Sequence, residues 1–295
     1  MAGAIRRRAN NLFGIYDQTT LYQFLSTGVP ANTTGILMND IDCSGMTFSS
    51  LYNYISKNVV FEGNGLKLLN LTSNIFNGTI YFRRVQLIDV NIVTSSATLN
   101  YINNKMEQVY FQGSITSTGT ATGRIGAIAS GLQTENMVMN CLVDANISTA
   151  GTVRGGLVVG DGYPPNLCIA KGNVNSKNVA GGIIGLDYIP STPSVNVCLA
   201  TSIKGNDTYV GRCRGGYAAN NNNVKMYCLE TTLLNGNAVS ESNNLSKNGA
   251  NITAVQSRTQ SFYEGLGYDF VDVWKMSSAG SSHGGTPILQ FMEDI

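Results

Sequence analysis

Short apolar runs and polar turns alternate through the middle of the chain, and one pattern of them returns four times between residues 123 and 234. Each copy begins with a glycine-rich stretch, passes through a polar turn and ends in a short apolar run that contains a cysteine. The cysteines lie 27, 30 and 30 residues apart, at Cys141, Cys168, Cys198 and Cys228. A repeat of about 20 to 50 residues is typical of a solenoid.

The repeats favour strands over helices. Each one holds two or three runs of four to six β-prone residues broken by Gly, Asn, Ser and Thr, and none holds ten residues of helical periodicity. The pattern therefore predicts an all-β fold, a parallel β-solenoid in which one repeat makes one turn.

In such a fold the four cysteines are expected to form one inward-facing ladder, because equivalent residues stack about 4.8 Å apart along the axis. Parallel side chains keep their Cβ atoms almost as far apart as their Cα atoms, beyond the roughly 3.8 Å that a disulfide prefers. We interpret the four as small buried hydrophobic residues, with disulfides or a metal site as alternatives. Cys43 and Cys213 are expected to pack in the same way.

The segments outside the repeats divide the rest of the chain. Residues 1–14 are expected to form an N-terminal arm, 15–58 an N-terminal cap with the first strands, 59–245 the solenoid body and 246–295 a C-terminal cap. Caps are needed because the open end of a solenoid would expose apolar surface and unpaired backbone groups.

Each cap is predicted to contain a short helix. In residues 15–26, Asp17 can cap a helix whose apolar side chains recur at helical spacing, namely Leu21, Phe24 and Leu25. A second helix is predicted in residues 254–266, ending at Gly265 or Gly267, with two strands after it at 271–276 and 286–291. Trp274 is predicted to cover the interior of the last turn, as core packing before any ligand stacking.

Several tracts resemble GLUG-repeat β-solenoid proteins of bacteria and phages. Residues 34–45, which contain D-I-D, and residues 59–72, which contain F-E-G-N-G, are similar to the first coils of that family. The Gly-Leu-any-Gly piece that gives the family its name is similar to residues 156–160, with one extra residue, and to residues 182–185. The closing tract is similar in residues 262–270.

The resemblance covers most of residues 15–291 and fails in two places, at residues 211–217, where the glycine motif is degraded, and at 75–123, where it is absent. It implies a right-handed β-helix in a surface or adhesive setting, without a catalytic site shared by the family.

Charge is sparse in this chain. Only 13% of the 295 residues are charged and the net charge is +1, against a usual charged share of about 25%. This balance gives no basis for binding nucleic acid, and no apolar segment is long enough to enter a membrane. The basic start of the chain is not followed by the apolar stretch of a secretory signal, so we expect folding in a reducing cytoplasm.

Candidate chemistry is limited. Asp161 and Asp187 follow equivalent glycine-rich strands 26 residues apart, so they could approach the spacing of about 5 to 5.5 Å found in retaining glycosidases. The interpretation that we favour is that both are exposed turn residues. His283 lies in a Ser/Gly loop without a nucleophile motif, and no spacing typical of a metal or phosphate site occurs. We therefore expect no enzyme activity, no cofactor and no metal.

Three functions remain open: a bacteriophage virion protein in the capsid or a tail fibre, projecting towards cell-surface polysaccharide; a bacterial surface adhesin; and a polysaccharide depolymerase. The first is favoured because a phage protein is released by lysis and needs no export signal. The arm is expected to anchor the protein to other virion subunits, and a homotrimer is favoured. The predicted anchor residues are Ile5, Arg6, Arg7, Arg8, Leu12 and Phe13.

Overall fold

The chain folds as a right-handed parallel β-solenoid of about 7 turns, as predicted. The structure, a computed structural model, describes the following parts of the chain: residues 11–48, 51–52, 57–76, 79–96, 101–102, 105–206, 208–216 and 222–295.

The strands of the first half are β1 (Asn11–Ile15), β2 (Thr33–Leu37), β3 (Ile41–Asp42), β4 (Val59–Glu62), β5 (Lys67–Leu69), β6 (Ile80–Thr94), β7 (Tyr101–Ile102), β8 (Met106–Ser117), β9 (Gly123–Gly126), β10 (Ala129–Leu132), β11 (Val138–Met139), β12 (Leu142–Thr149) and β13 (Val153–Gly156). Those of the second half are β14 (Val159–Gly162), β15 (Cys168–Ser176), β16 (Ala180–Gly181), β17 (Ile184–Asp187), β18 (Ser194–Lys204), β19 (Val210–Gly211), β20 (Arg214–Gly216), β21 (Val224–Leu229), β22 (Leu233–Leu234), β23 (Asn237–Ala238), β24 (Ala250–Ile252), β25 (Trp274–Met276) and β26 (Pro287–Leu289). The helices are α1 (Gln18–Tyr22), which continues into a π-helical turn at Gln23–Thr27, and α2 (Gln260–Gly265), which follows a 3₁₀ turn at Gln256–Arg258.

Three parallel sheets run along the solenoid. The long sheet contains, in hydrogen-bonded order, β1-β2-β4-β6-β8-β12-β15-β18-β21-β24, and the two shorter sheets have the orders β19-β16-β13-β9 and β20-β17-β14-β10-β7. Each glycine-rich stretch forms the corner between the shorter sheets. At Gly156 a Cβ atom would lie 2.0 Å from the Val159 carbonyl oxygen, so only glycine fits this corner.

The long sheet is apolar on both faces. Its inward side chains form the solenoid core, while its outward side chains include a second apolar row formed by Tyr110, Leu142, Ile169, Val197 and Tyr227. The segment after residue 252 lies against this outer row, and we call it the clamp (residues 253–292). Strands buried on both faces are expected to be apolar throughout, as in Cys168-Ile169-Ala170.

Trp274 belongs to the clamp, and the prediction that it covers the last turn's interior is wrong. It is fully buried against the outer row and contacts the Tyr268 ring edge-on at 5.5 Å. The Tyr268 hydroxyl donates to the Cys168 carbonyl at 2.8 Å. The prediction that Trp274 serves core packing is confirmed, and the two predicted strands are the antiparallel pair β25 and β26.

The ends of the solenoid lie further out than predicted. Strand β1 pairs in parallel with β2, so residues 11–14 are part of the long sheet rather than of an arm outside it. At the other end β24 pairs with β21, beyond the predicted limit at residue 245. The predicted N-terminal helix is confirmed: Asp17 caps it, accepting from the Thr20 amide at 2.9 Å. Its apolar face is buried, namely Leu21, Phe24 and Leu25.

The cysteine ladder is broken in two. Cys141 and Cys168 are level with one another, since Leu142 pairs with Ile169, but Cys168 pairs with Asn196 rather than with Cys198. Paired residues of β15 and β18 are 28 positions apart in sequence at this point, whereas Cys168 and Cys198 are 30 positions apart. Cys198 therefore lies two residues beyond the partner of Cys168, and it pairs with Cys228 on the next strand. All six cysteines are buried, as predicted.

Candidate ligand-binding groove

Polar rows lie beside the clamp on the outer face of the long sheet. One row contains Gln112, Asp144 and Lys171 in register, and the next contains Asn91, Ser114, Asn146 and Asn173. Neighbouring turns are joined by side-chain hydrogen bonds in the second row. The Ser114 hydroxyl donates to Asn91 Oδ1 at 3.1 Å, and Asn173 Nδ2 donates to Asn146 Oδ1 at 2.8 Å.

These rows line an open trough with a volume of about 380 Å³, which we call the flank groove; its lining includes Asp89, Asn91, Gln112, Ser114, Asp144 and Asn146. The local backbone depends on glycine. Gly113 has φ +148°, and a Cβ atom there would lie 2.1 Å from the Val90 carbonyl oxygen, next to a β-bulge in β6. A bulge bends its strand and redirects side chains, so the sheet bends along the groove.

A second cavity of about 310 Å³ adjoins the flank groove under the clamp, and Gln112 lines both. Its walls come from the sheet and from the end of the chain, with Lys67, Gln86, Tyr110, His283, Glu293 and Ile295 among them. Lys67 Nζ forms an ion pair with Glu293 at 2.9 Å, which ties the residue that follows the clamp to β5. The groove and this cavity are therefore neighbours that share Gln112 in their walls.

Lys171 lies where the clamp crosses the polar rows. Its Nζ donates to Thr286 Oγ1 at 2.5 Å and to the His283 carbonyl at 3.4 Å. Burial lowers the pKa of Lys171 to about 8, against the opposing charge of Asp144. Burial, and then the charge of Lys171, lower the pKa of His283 as well. Perturbed pKa values are common at functional sites, but here both groups hold the clamp in place.

The structure does not bring Asp161 and Asp187 together as an exposed pair. Each is buried and has its own arginine partners. Asp161 forms ion pairs with Arg154 and, at 3.7 Å, with Arg124, and Asp187 Oδ2 accepts from Arg214 Nη1 at 3.0 Å. Neither aspartate lines the flank groove. Because a glycosidase pair must reach solvent and substrate, this arrangement favours a structural role.

Of the six predicted anchor residues, two lie in strand β1 and four lie outside the described residues. Ile5, Arg6, Arg7 and Arg8 lie outside the described residues. Leu12 and Phe13 lie in β1, where the Leu12 side chain is 72% exposed and the Phe13 ring contacts Phe24 at 5.9 Å. Phe13 therefore packs on the solenoid, and of these two only Leu12 projects into solvent.

A cluster of three thiols was not predicted. Cys198, Cys213 and Cys228 come from the last two turns of the solenoid, and their Sγ atoms are all within 4.8 Å of one another. Burial raises the pKa of the Cys213 thiol. The missed signal is that Cys213 stands in the degraded glycine motif, at the position that Ile183 occupies one turn earlier.

No protein-family model and no curated protein sequence matches this chain. Among solved structures, the crystal structure of a putative immunoglobulin A1 protease from Bacteroides ovatus matches with a TM-score of 0.63 and 15% sequence identity, over 95% of this chain and 92% of that chain. At this identity the similarity shows the β-helix fold alone. The resemblance to GLUG-repeat proteins stays a prediction. Among the residues that the structure describes, every helix is too short or too polar to span a bilayer.

Proposed function

We propose that this protein is a non-enzymatic rod that binds a glycan of a bacterial cell surface in its flank groove, as a projecting structural component of a bacteriophage virion. The observation that carries the proposal is the groove itself. It presents amide, hydroxyl and carboxylate side chains in register on adjacent strands of a rigid sheet.

The chemistry of the groove suits a hydroxyl-rich ligand. Sugar hydroxyls both donate and accept, an Asn or Gln amide offers both kinds of partner, and a carboxylate accepts from two neighbouring hydroxyls. Because the side chains stand on strands, little conformational entropy is lost when they bind. Asp89 and Asp144 line the groove while Lys171 is held under the clamp, so neutral or amino sugars are favoured over acidic ones.

The solenoid suits projection from a particle. Helix α1 lies at its first turn, and residues 244–251 form the last partial turn over the corner at Arg212 and Cys213. Ends closed in this way prevent the rods from pairing end to end. The setting rests on the resemblance to phage and bacterial GLUG-repeat proteins, with a surface adhesin as the alternative. In this proposal residues 1–10 and Leu12 attach the protein to other virion subunits, and three copies of the chain assemble as a homotrimer.

The groove is tested by binding to an array of bacterial surface polysaccharides. The double variant Asn91→Ala/Asn146→Ala removes exposed amides from the groove, and we expect it to weaken binding about tenfold or more, since each hydrogen bond contributes about 0.5–1.5 kcal/mol. Asn11→Ala, an exposed asparagine on β1 outside the groove, is the matched control. Equal binding by all three proteins would rule out the groove.

The setting is tested separately by mass spectrometry. Peptides of this protein in purified phage particles, and their loss when residues 2–10 are deleted, would support the virion role. Peptides found on the surface of intact bacteria, without phage, would favour the adhesin instead. Release of new reducing ends from any polysaccharide it binds would contradict the non-enzymatic assignment.

A further inference from the structure

The thiol cluster is built by three separate elements from the last two turns of the solenoid. Cys198 comes from β18, Cys228 from the adjacent strand β21 in direct register, and Cys213 from the corner between β19 and β20. All three are fully buried and face one another inside the solenoid. Three thiolates around one ion with bonds of about 2.3 Å would lie about 4.0 Å apart in a plane, which falls within the 4.8 Å limit on the observed separations.

A buried cation lies beside the thiols. The Arg212 guanidinium is fully buried, and its Nε and Nη1 atoms have no hydrogen-bond partner. Its Nη2 donates to the Gly249 carbonyl at 3.2 Å and to Asn251 Oδ1 at 2.6 Å. None of the close ion pairs formed by the described residues includes Arg212. The pKa of the Glu241 carboxyl is lowered chiefly by the Asn243 amide and to a smaller extent by the charge of Arg212, so this carboxylate is only a distant counterion. A buried charge without a close counterion is strongly unfavourable, so negative charge on the neighbouring thiols would stabilise it.

Two glycines make room for the cluster. A Cβ atom on Gly182 would lie 2.3 Å from Cys198 Sγ, and one on Gly249 would lie 2.8 Å from Cys213 Sγ. Arg212 and Cys213 belong to the degraded glycine motif, whereas Gly182 belongs to the motif one turn earlier and Gly249 to the last partial turn.

We propose that Cys198, Cys213 and Cys228 bind one thiophilic d¹⁰ metal ion in a three-sulfur site, with Arg212 compensating the negative charge. Thiolates select zinc, copper(I) and similar soft ions. Three thiolates and one divalent ion carry a net charge of −1, which Arg212 neutralises, so Zn²⁺ or Cd²⁺ is favoured over Cu⁺. Binding releases the thiol protons to solvent. The ion would join three elements at the end of the rod.

The test uses the full-length protein, reduced and freed of metal without oxygen, and titrated with Cd²⁺. We expect one equivalent to bind, with thiolate-to-cadmium charge-transfer absorption in the ultraviolet and three sulfur neighbours by X-ray absorption. Cys213→Ala should lose this binding, whereas Cys168→Ala, a buried cysteine of the inward face outside the cluster, should keep it. Arg212→Leu should weaken it about 10- to 100-fold, the range found for groups that support metal ligands.

Four outcomes would overturn the proposal: no Cd²⁺ bound by the wild-type protein at stoichiometric concentrations, binding unchanged in Cys213→Ala, binding lost in Cys168→Ala, or fewer than three sulfur neighbours. If Cys213→Ala does not fold, the sulfur count in the wild-type protein decides alone, with Zn²⁺-dependent thermal stabilisation as the second measurement.

Discussion

A middle turn and the terminal turn of this solenoid follow the same backbone path and bury opposite chemistry. Gly156, Gly181 and Gly211 are in register, so Leu157, Val158 and Val159 of a middle turn correspond to Arg212, Cys213 and Arg214 of the terminal turn. Both sets are fully buried. Burial here follows from position in the turn and not from residue type.

The difference lies in what the next turn offers. A middle turn has regular turns on both sides, whose backbone groups already pair with one another. The terminal turn is followed by the irregular segment 244–251, whose carbonyls can accept from arginine: Leu245 from Arg214, and Gly249 from Arg212. Buried polar groups are tolerated where partners exist, and irregular chain supplies them.

The largest expected effect comes from breaking the buried ion pair between Asp187 of the preceding turn and Arg214 of the terminal turn. Asp187→Asn leaves Arg214 fully buried without its carboxylate, and loss of one partner of such a pair costs about 3–5 kcal/mol. Urea unfolding at neutral pH should show this loss. Asp161→Asn is the control and should cost less, because the side chains of its partners Arg124 and Arg154 are 31% and 30% exposed and can be hydrated. Equal losses would contradict the contrast between the turns.

Lys171, on the outer face of a middle turn, shows what it costs to cover a charged side chain. Its pKa falls from an ordinary value of 10.5 to about 8 through burial, so the folded state binds fewer protons than the unfolded state between these pH values. Stability should therefore rise with pH across this window, and the cost of the buried cation is fully present below pH 8.

The size of this effect is up to about 3 kcal/mol. It is measured as the difference in unfolding free energy between wild type and Lys171→Met at pH 7, 8, 9 and 10. The unfolding free energy of the wild type should increase relative to that of the variant as pH rises, since only the wild type contains Lys171. The cysteines, tyrosines and His283 are present in both proteins, so their titration cancels in the difference. Parallel pH profiles would mean that the ammonium of Lys171 is well hydrated.

A smaller loss of stability is expected from overpacking the glycine corner at Gly182, which lies beside the thiol cluster. Gly182→Ala places a Cβ atom 2.3 Å from both Cys198 Sγ and the Arg212 carbonyl oxygen, and overpacking of this kind costs about 1–3 kcal/mol. Gly280→Ala, with no atom within 4 Å of the new Cβ, is the control and should be neutral. Thermal unfolding of both variants measures the difference, and a neutral Gly182→Ala would show that the corner can relax.

Much of the fold could be predicted because strand length, turn residues and the repeat are local signals. The N-terminal helix with its buried Leu21, Phe24 and Leu25 was predicted for the same reason. Register is not local. Cys168 and Cys198 have the spacing of the repeat, yet the paired residues of these two strands are 28 positions apart. The separation of paired residues is 25 at Gly162 and Asp187 and changes again at a β-bulge after Gly172, so it varies within one turn.

The site was harder to predict because it depends on which surfaces are covered. The size of Trp274 predicted that it would be buried, but the surface that buries it is the outer apolar row. A signal for this row was present in the sequence, because runs such as Cys168-Ile169-Ala170 have no polar position. The arginine partners of Asp161 are Arg154, 7 residues away, and Arg124, and neither separation matches the repeat. Asp187 and Arg214 are 27 residues apart, which is about one repeat, so only this pair had a periodic signal.

The clamp also sets the order in which the protein can be made. It is synthesised after all the strands of the solenoid, and it covers side chains of strands from β6 to β21. Until it is synthesised, every turn already formed carries an exposed apolar row, which is a condition for aggregation during folding. A nascent solenoid can therefore form its turns one after another, but its outer apolar row stays exposed until the clamp is made. A chain interrupted before residue 260 is expected to form solenoid turns and then aggregate.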